Sequence, residues 1–347
     1  MERITTDRLS PLPAAVTGTM LIAFSGIWVG LADVQPAAAG FFRCAYAVPL
    51  LWLFARREGR GSVTVGRTSR QRLLAMGAGL FFTVDLIAWH GAIAAVGAGL
   101  GTVLASGQVV VVALAARVFL GERVARPVIT ALPVMLAGVV LISGAVGAQA
   151  YGGRPVLGVV LGVVTSLAYA GFLLLLRASN PEGARPVASL FDATWVGATG
   201  TACVALLSGD AISLLPSWPS AGWLLGLAVG SQVVAWVLIT SALPRLAAVT
   251  SSLVLTLQPA GSLLLGMIIL GERPAPLQLV GAAVVLVAVV YATGELPGTG
   301  LRRAPTLPPA GRARRDALTR AAQRRAGALT RSTGGSRSRR PPPARTP

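Results

Sequence analysis

Ten stretches of about 20 apolar residues, separated by short polar segments, constrain this chain more than any other feature. They fall at 14–33, 37–55, 73–93, 97–118, 127–147, 155–176, 187–207, 221–241, 248–269 and 275–294. A hydrocarbon layer about 30 Å thick takes roughly 20 helical residues to cross, so each stretch predicts a transmembrane helix. Soluble packing is a poor alternative: only 12% of the residues are charged and the mean hydropathy is +0.71, whereas soluble domains carry about 25% charge. The first stretch resembles a signal peptide ending at Ala37-Ala38-Ala39. Its apolar run is too long for that, and the next run follows at once. The expected fold class is an all-α membrane protein with ten transmembrane helices.

The formal charge of +18 is unevenly spread. All 30 bases are arginine, and 13 of them lie between Arg302 and Arg345. With the N-terminus inside, ten spans place 27 of the 30 on one side; Arg154 and Arg273 fall outside and Arg43 within a span. Positive charge flanking membrane helices marks the cytoplasmic face. A multi-pass protein of the cytoplasmic (inner) membrane is expected, with both termini inside. Residues 1–13 form a short cytoplasmic lead. Residues 295–347, rich in Arg, Pro and Gly, read as a disordered tail that lies against anionic lipid headgroups. The tail has no aromatic residue for base stacking, which argues against nucleic acid as its partner.

The runs fall into two sets of five, 14–147 and 155–294, and the sets are related. Gly121-Glu122-Arg123 recurs 150 residues later as Gly271-Glu272-Arg273, Gln108 as Gln258, and Pro36 as Pro186. Upstream the offset is 147: Ala88-Trp89 matches Ala235-Trp236 and Asp85 matches Gln232. This implies three residues inserted around Ser241 to Arg245. Five spans is an odd number, so the second set enters the membrane from the opposite side. Inverted repeats of this kind are a transporter architecture, with a site near the midplane between the halves.

Leu120-Gly121-Glu122, its second copy Leu270-Gly271-Glu272-Arg273, and Gln278-Leu279-Val280-Gly281 before a Val-rich span carry a resemblance. With Arg43 after Phe41-Phe42, they make the membrane region similar to the EamA-type family of the drug/metabolite transporter superfamily. The resemblance covers about 14–294 and implies two tandem five-helix units that export or exchange amino acids, related metabolites or drugs. The units differ in detail: Ala131 stands where the second has Gly281, Gly138 where it has Ala288, and no proline follows Gln108 as Pro259 follows Gln258.

Polar groups inside apolar runs are the candidate functional residues, because a buried amide or charge needs a partner or a wet cavity. Asp85 is the candidate proton-coupling group. Candidate substrate-binding residues are Arg43, Gln108, Gln258, Trp89, Trp236, Trp28, Tyr169 and Gln232. Arg43 can serve as partner to Asp85 or to an anionic substrate, or simply snorkel. Pro259 is expected to kink its helix. Asp192 is a weaker candidate, Asp33 reads as solvated, His90 as interfacial, and Glu122 and Glu272 as braces of helix ends beside Arg123 and Arg273. Trp52, Trp218 and Trp223 read as interface anchors. Cys44 and Cys203 read as buried packing residues.

Neither a metal-ligand cluster nor a Ser-His-Asp arrangement is present. Gly97, Gly99 and Gly101 lack the Lys of a phosphate loop. No cofactor and no enzymatic activity are expected. The function that follows is transport of a small-molecule substrate across the cytoplasmic membrane by alternating access, with export the favoured direction. The alternative is a non-transporting scaffold or sensor that recruits partners through its basic tail.

Overall fold

The computed structural model describes residues 10–60, 67–120, 126–146, 150–180, 185–209, 215–242, 246 and 248–292. Gly121-Glu122-Arg123, the inserted loop at 243–245 and the tail 295–347 lie outside the described residues.

The described chain is almost wholly helical. In order it forms α1 (Pro11–Ala23), α2 (Ser25–Ala32), α3 (Pro36–Arg60), α4 (Ser69–Val96), α5 (Ala98–Ala105), α6 (Gln108–Leu120) and α7 (Arg126–Ile142). It continues with α8 (Pro155–Ser179), α9 (Pro186–Leu207), α10 (Ser220–Gly226), a π-helical segment (Leu227–Ala235), α11 (Trp236–Ala242), α12 (Ala248–Ile269) and α13 (Pro276–Ala292). Six helical stretches among the described residues are long and apolar enough to cross a membrane: Pro11–Ala32, Pro36–Glu58, Ser69–Val96, Pro155–Ser179, Pro186–Leu207 and Ser220–Ile239. In four further stretches the apolar helix is shorter, at 10–17 residues.

Sequence chemistry sets many of the helix starts. Proline is the first residue of α1, α3, α8, α9 and α13, a position where its missing N–H costs nothing and its fixed φ suits the first turn. At α4 the start is a capping box: Thr68 Oγ1 accepts from the Gln71 N–H at 3.2 Å, and Gln71 Oε1 accepts from the Thr68 N–H at 2.9 Å. Gly97, at φ +90, ends α4 and opens α5 after a single residue.

One expected break moves. α12 runs on through Pro259, whereas its counterpart in the first set is interrupted at Ser106-Gly107, where there is no proline. Ser106 Oγ donates to the Val103 carbonyl at 2.6 Å, the kind of local side-chain bond that competes with the helical ladder. Gln108 therefore opens a new helix instead of sitting within one.

The helices pack chiefly as α4 on α8 and α9, α3 on α9, α7 on α13, and α1 and α5 on α12. The crossing of α7 and α13 explains the unequal glycines of the two sets. A methyl group built on Gly138 would lie 2.8 Å from the Gly281 carbonyl, and one on Gly281 2.7 Å from the Gly138 carbonyl. One glycine per set suffices because the two meet; Ala131 and Ala288 are buried in the same core. We expect Gly138→Val to lower the melting temperature of the purified protein, since a backbone oxygen cannot yield as a side chain can and overpacking costs about 1–3 kcal/mol. Gly153→Ala, where nothing lies within 4 Å, should melt as wild type. Equal melting of Gly138→Val and wild type would contradict the close crossing.

One side-chain expectation is corrected. Cys44 is buried, but Cys203 is exposed on α9, because it occupies the face of that helix turned away from α3 and α4. His90 is 1% exposed; its Nδ1 lies 3.1 Å from the Pro36 carbonyl oxygen, so the chain entering α3 covers it.

Candidate functional site

The polar residues singled out in the apolar runs converge. A cavity of about 70 Å³ lies among α1, α2, α3, α4, α5, α6, α8, α11 and α12. Arg43, Asp85, Gln108 and Gln258 line it, with the rings of Trp89, Tyr169 and Trp236. Phe82, Ile22 and Ala105 complete the apolar wall, and Ser25 and Thr165 add hydroxyls.

Arg43 is 7% exposed. Its Nε donates to Gln232 Oε1 at 2.9 Å, and its guanidinium carbon lies 5.6 Å from the Trp89 ring centroid and 5.9 Å from that of Phe82. Such distances permit cation–π attraction, which is stronger where water is excluded. Among the described residues no ion pair joins Arg43 to Asp85. The carboxylate, itself 5% exposed, faces the same cavity. A guanidinium and a carboxyl group thus look into one small space without closing on each other. That arrangement suits a ligand or water able to satisfy both, since charges removed from water need partners.

Gln232 lies behind the cavity wall, fully buried. Its Nε2 donates to Thr194 Oγ1 at 3.4 Å, so one amide fixes Arg43 on one side and is itself held on the other. The residue sits in the π segment, and π turns within α-helices are frequent at functional sites. Trp28 also lies outside the lining. Its ring rests on Gly226, the last residue of α10, and on Gly230 of the π segment, where a methyl group on Gly230 would come within 2.5 Å of it.

Ser25 and Thr165 carry no signal in the sequence that marks them for the cavity. Ser25 Oγ donates to the Ile22 carbonyl, whereas Thr165 Oγ1 is buried with no partner. Hydroxyls in apolar helices give little signal, because they can bond to their own preceding turn at no great cost.

Other polar residues have structural partners away from the cavity. Asp192 pairs with Arg67 at 2.6 Å. Glu58 accepts the N–H groups of Val187 and Ala188 at 3.2 and 3.0 Å, serving the first turn of α9. Glu272 braces a helix end as expected, but a distant one: its carboxylate accepts the N–H of Ala98 and, at 3.1 Å, that of Gly99, both at the start of α5. Gly97, Gly99 and Gly266 leave the space it fills. Burial raises the pKa of Glu272 and the two backbone donors pull it back in part. Gln278, 1% exposed, was visible in the sequence only as part of a motif. Its amide donates to the Ile142 and Tyr151 carbonyls and accepts from the Tyr151 and Ala275 N–H groups, at 2.7–3.2 Å.

These features were compared with known proteins. Residues 156–294 match the EamA-like transporter family. The EamA-like stretch runs from the first turn of α8 to just past α13, and it supplies Thr165, Tyr169, Trp236 and Gln258 to the cavity. Its family consists of membrane transporters. No curated protein matches the sequence. A solved crystal structure of a protein superimposes over 82% of this chain and 96% of its own, at 17% identity and a TM-score of 0.55. That likeness speaks for the fold alone.

Proposed function

We propose that this chain is a secondary transporter that exports a small metabolite or drug-like molecule across the cytoplasmic membrane by alternating access. In this reading the ten apolar segments are ten spans in two inverted five-helix repeats, both termini are cytoplasmic, and the central cavity is the substrate site. The observation that carries it is the convergence of Arg43, Asp85, Gln108 and Gln258 on one cavity. Four costly polar side chains from four segments have no evident purpose in a scaffold. The pairing of α3 with α9, α5 with α12 and α7 with α13 supports the repeat, since each joins segments of equal rank in the two sets. The match to a transporter family over 156–294 points the same way.

Arg43, Gln108, Gln258, Trp89, Tyr169 and Trp236 contact substrate in this reading, Gln232 positions Arg43, and Asp85 carries the coupled proton. The test is Asp85→Asn in proteoliposomes loaded with the candidate substrate, found by comparing metabolites inside and outside deletion and overexpression strains. The neutral variant should retain solute-for-solute exchange but lose stimulation by a pH gradient. Undiminished gradient-driven transport would remove Asp85 from the coupling role.

A further inference from the structure

The central cavity, at about 70 Å³, is far below the 300–1,000 Å³ or so of pockets that enclose drug-sized ligands. A second chamber of about 260 Å³ adjoins it among α3, α8, α9 and α11, walled by Leu51, Leu173, Leu176, Leu190 and Val237. Trp236 lines both spaces. Resting on the transporter reading, we propose that this chamber binds the apolar part of the transported molecule, with Trp236 as the partition between it and the polar site.

Three observations define the ligand. The walls are hydrocarbon apart from one end, where Arg177 and Asn180 stand, so the group bound is uncharged and apolar. Ser189, 1% exposed, lines the chamber with its Oγ lacking any partner, which calls for a single hydrogen-bonding atom on that group. An apolar cavity of about 150 Å³ accommodates benzene, so this one has room for a fused two-ring or branched aliphatic group. A bilayer acyl chain is the rival occupant. It fits less well, because Trp236 lines both this chamber and the polar cavity and the unpartnered Ser189 Oγ offers a hydrogen bond that an acyl chain cannot make. The substrate class is therefore amphipathic: a polar head for Arg43 and Asp85, and a compact apolar body with one donor or acceptor.

Indole, a two-ring probe with one N–H, tests this without any gradient. Ser189→Cys is placed in a Cys203→Ser background, and the introduced thiol is labelled with benzyl methanethiosulfonate in nanodiscs; the background alone reports any reaction at buried Cys44. Indole at ten times its Kd should slow labelling about tenfold. Leu173→Trp, which fills the chamber, should abolish that protection; Leu176→Phe serves the same purpose if the first variant is not monodisperse. Absence of indole protection, or equal protection in the filled variants, overturns the inference. Labelling that is slow in nanodiscs but fast in lipid-free detergent, with no effect of indole, assigns the chamber to lipid and also overturns it. Because binding is read apart from transport, these outcomes leave the transporter reading standing. Failure of transport with indole protection intact overturns that reading instead.

Discussion

Arg43→Gln should reduce substrate affinity in proteoliposome transport by about 10- to 100-fold, the equivalent of a hydrogen bond to a charged group worth about 1.5–3 kcal/mol. The guanidinium performs three tasks together. It holds Gln232 through Nε at 2.9 Å, lies over Trp89 and Phe82, and sets a positive charge in the cavity that Asp85 also faces. Glutamine removes the charge and leaves a buried carboxylate with no cation in its cavity. Arg43→Lys separates charge from shape: the ammonium restores the positive charge but has no Nε fork for Gln232 and no planar face for the rings. It should recover only part of the affinity, while Gln232→Leu, in a wild-type Arg43 background, should fall between the two. Wild-type transport by Arg43→Gln would show that the cavity is not the substrate site.

Glu272→Ala should strongly destabilise the protein. It exposes two buried N–H donors at the start of α5, each worth about 1–3 kcal/mol when left unsatisfied, and leaves a void among Gly97, Gly99 and Gly266. Against a total stability of about 5–15 kcal/mol, that is a large share. Glu272→Gln should be milder: one oxygen still accepts, while its NH2 group confronts the second donor. Thermal unfolding in detergent, followed by tryptophan fluorescence, reads the order wild type, Gln, Ala. An alanine variant that melts with wild type would mean that α5 is held by its packing on α12 and not by the carboxylate.

These two residues mark what was and was not legible in the sequence. Arg43, Asp85, Gln108 and Gln258 stood out because an apolar run gives a polar side chain nowhere to go except inward. The repeat offset drew attention to Trp89 and Trp236 for the same cavity. Glu272 was legible as a brace but not as the brace of α5, 174 positions away in sequence. Spacing along a chain tells which residues share a helix face; it does not tell which helix ends meet across a bundle. The reason for Gly97 and Gly99 is the carboxylate they make room for, which their spacing along the chain does not reveal. Thr165 was missed because a hydroxyl in an apolar helix raises no conflict. Trp28 gave no sign that Gly226 and Gly230 would receive its ring. The break at Ser106-Gly107 shows that a serine-glycine pair can do what proline was expected to do, while Pro259 is carried within a continuous helix.

The two glutamates have a joint meaning for assembly. α5 opens on Gly97 and α9 on Arg185-Pro186, and neither start has a capping side chain of its own. α5 borrows Glu272 from the later part of the chain; α9 borrows Glu58 from the earlier part. Each portion lends the other what its own helix lacks. Synthesised separately, residues 1–150 and 151–294 would each present a helix whose first amides lack the carboxylate that covers them in the whole chain. The two portions are thus joined at helix termini as well as by the packing of their sides.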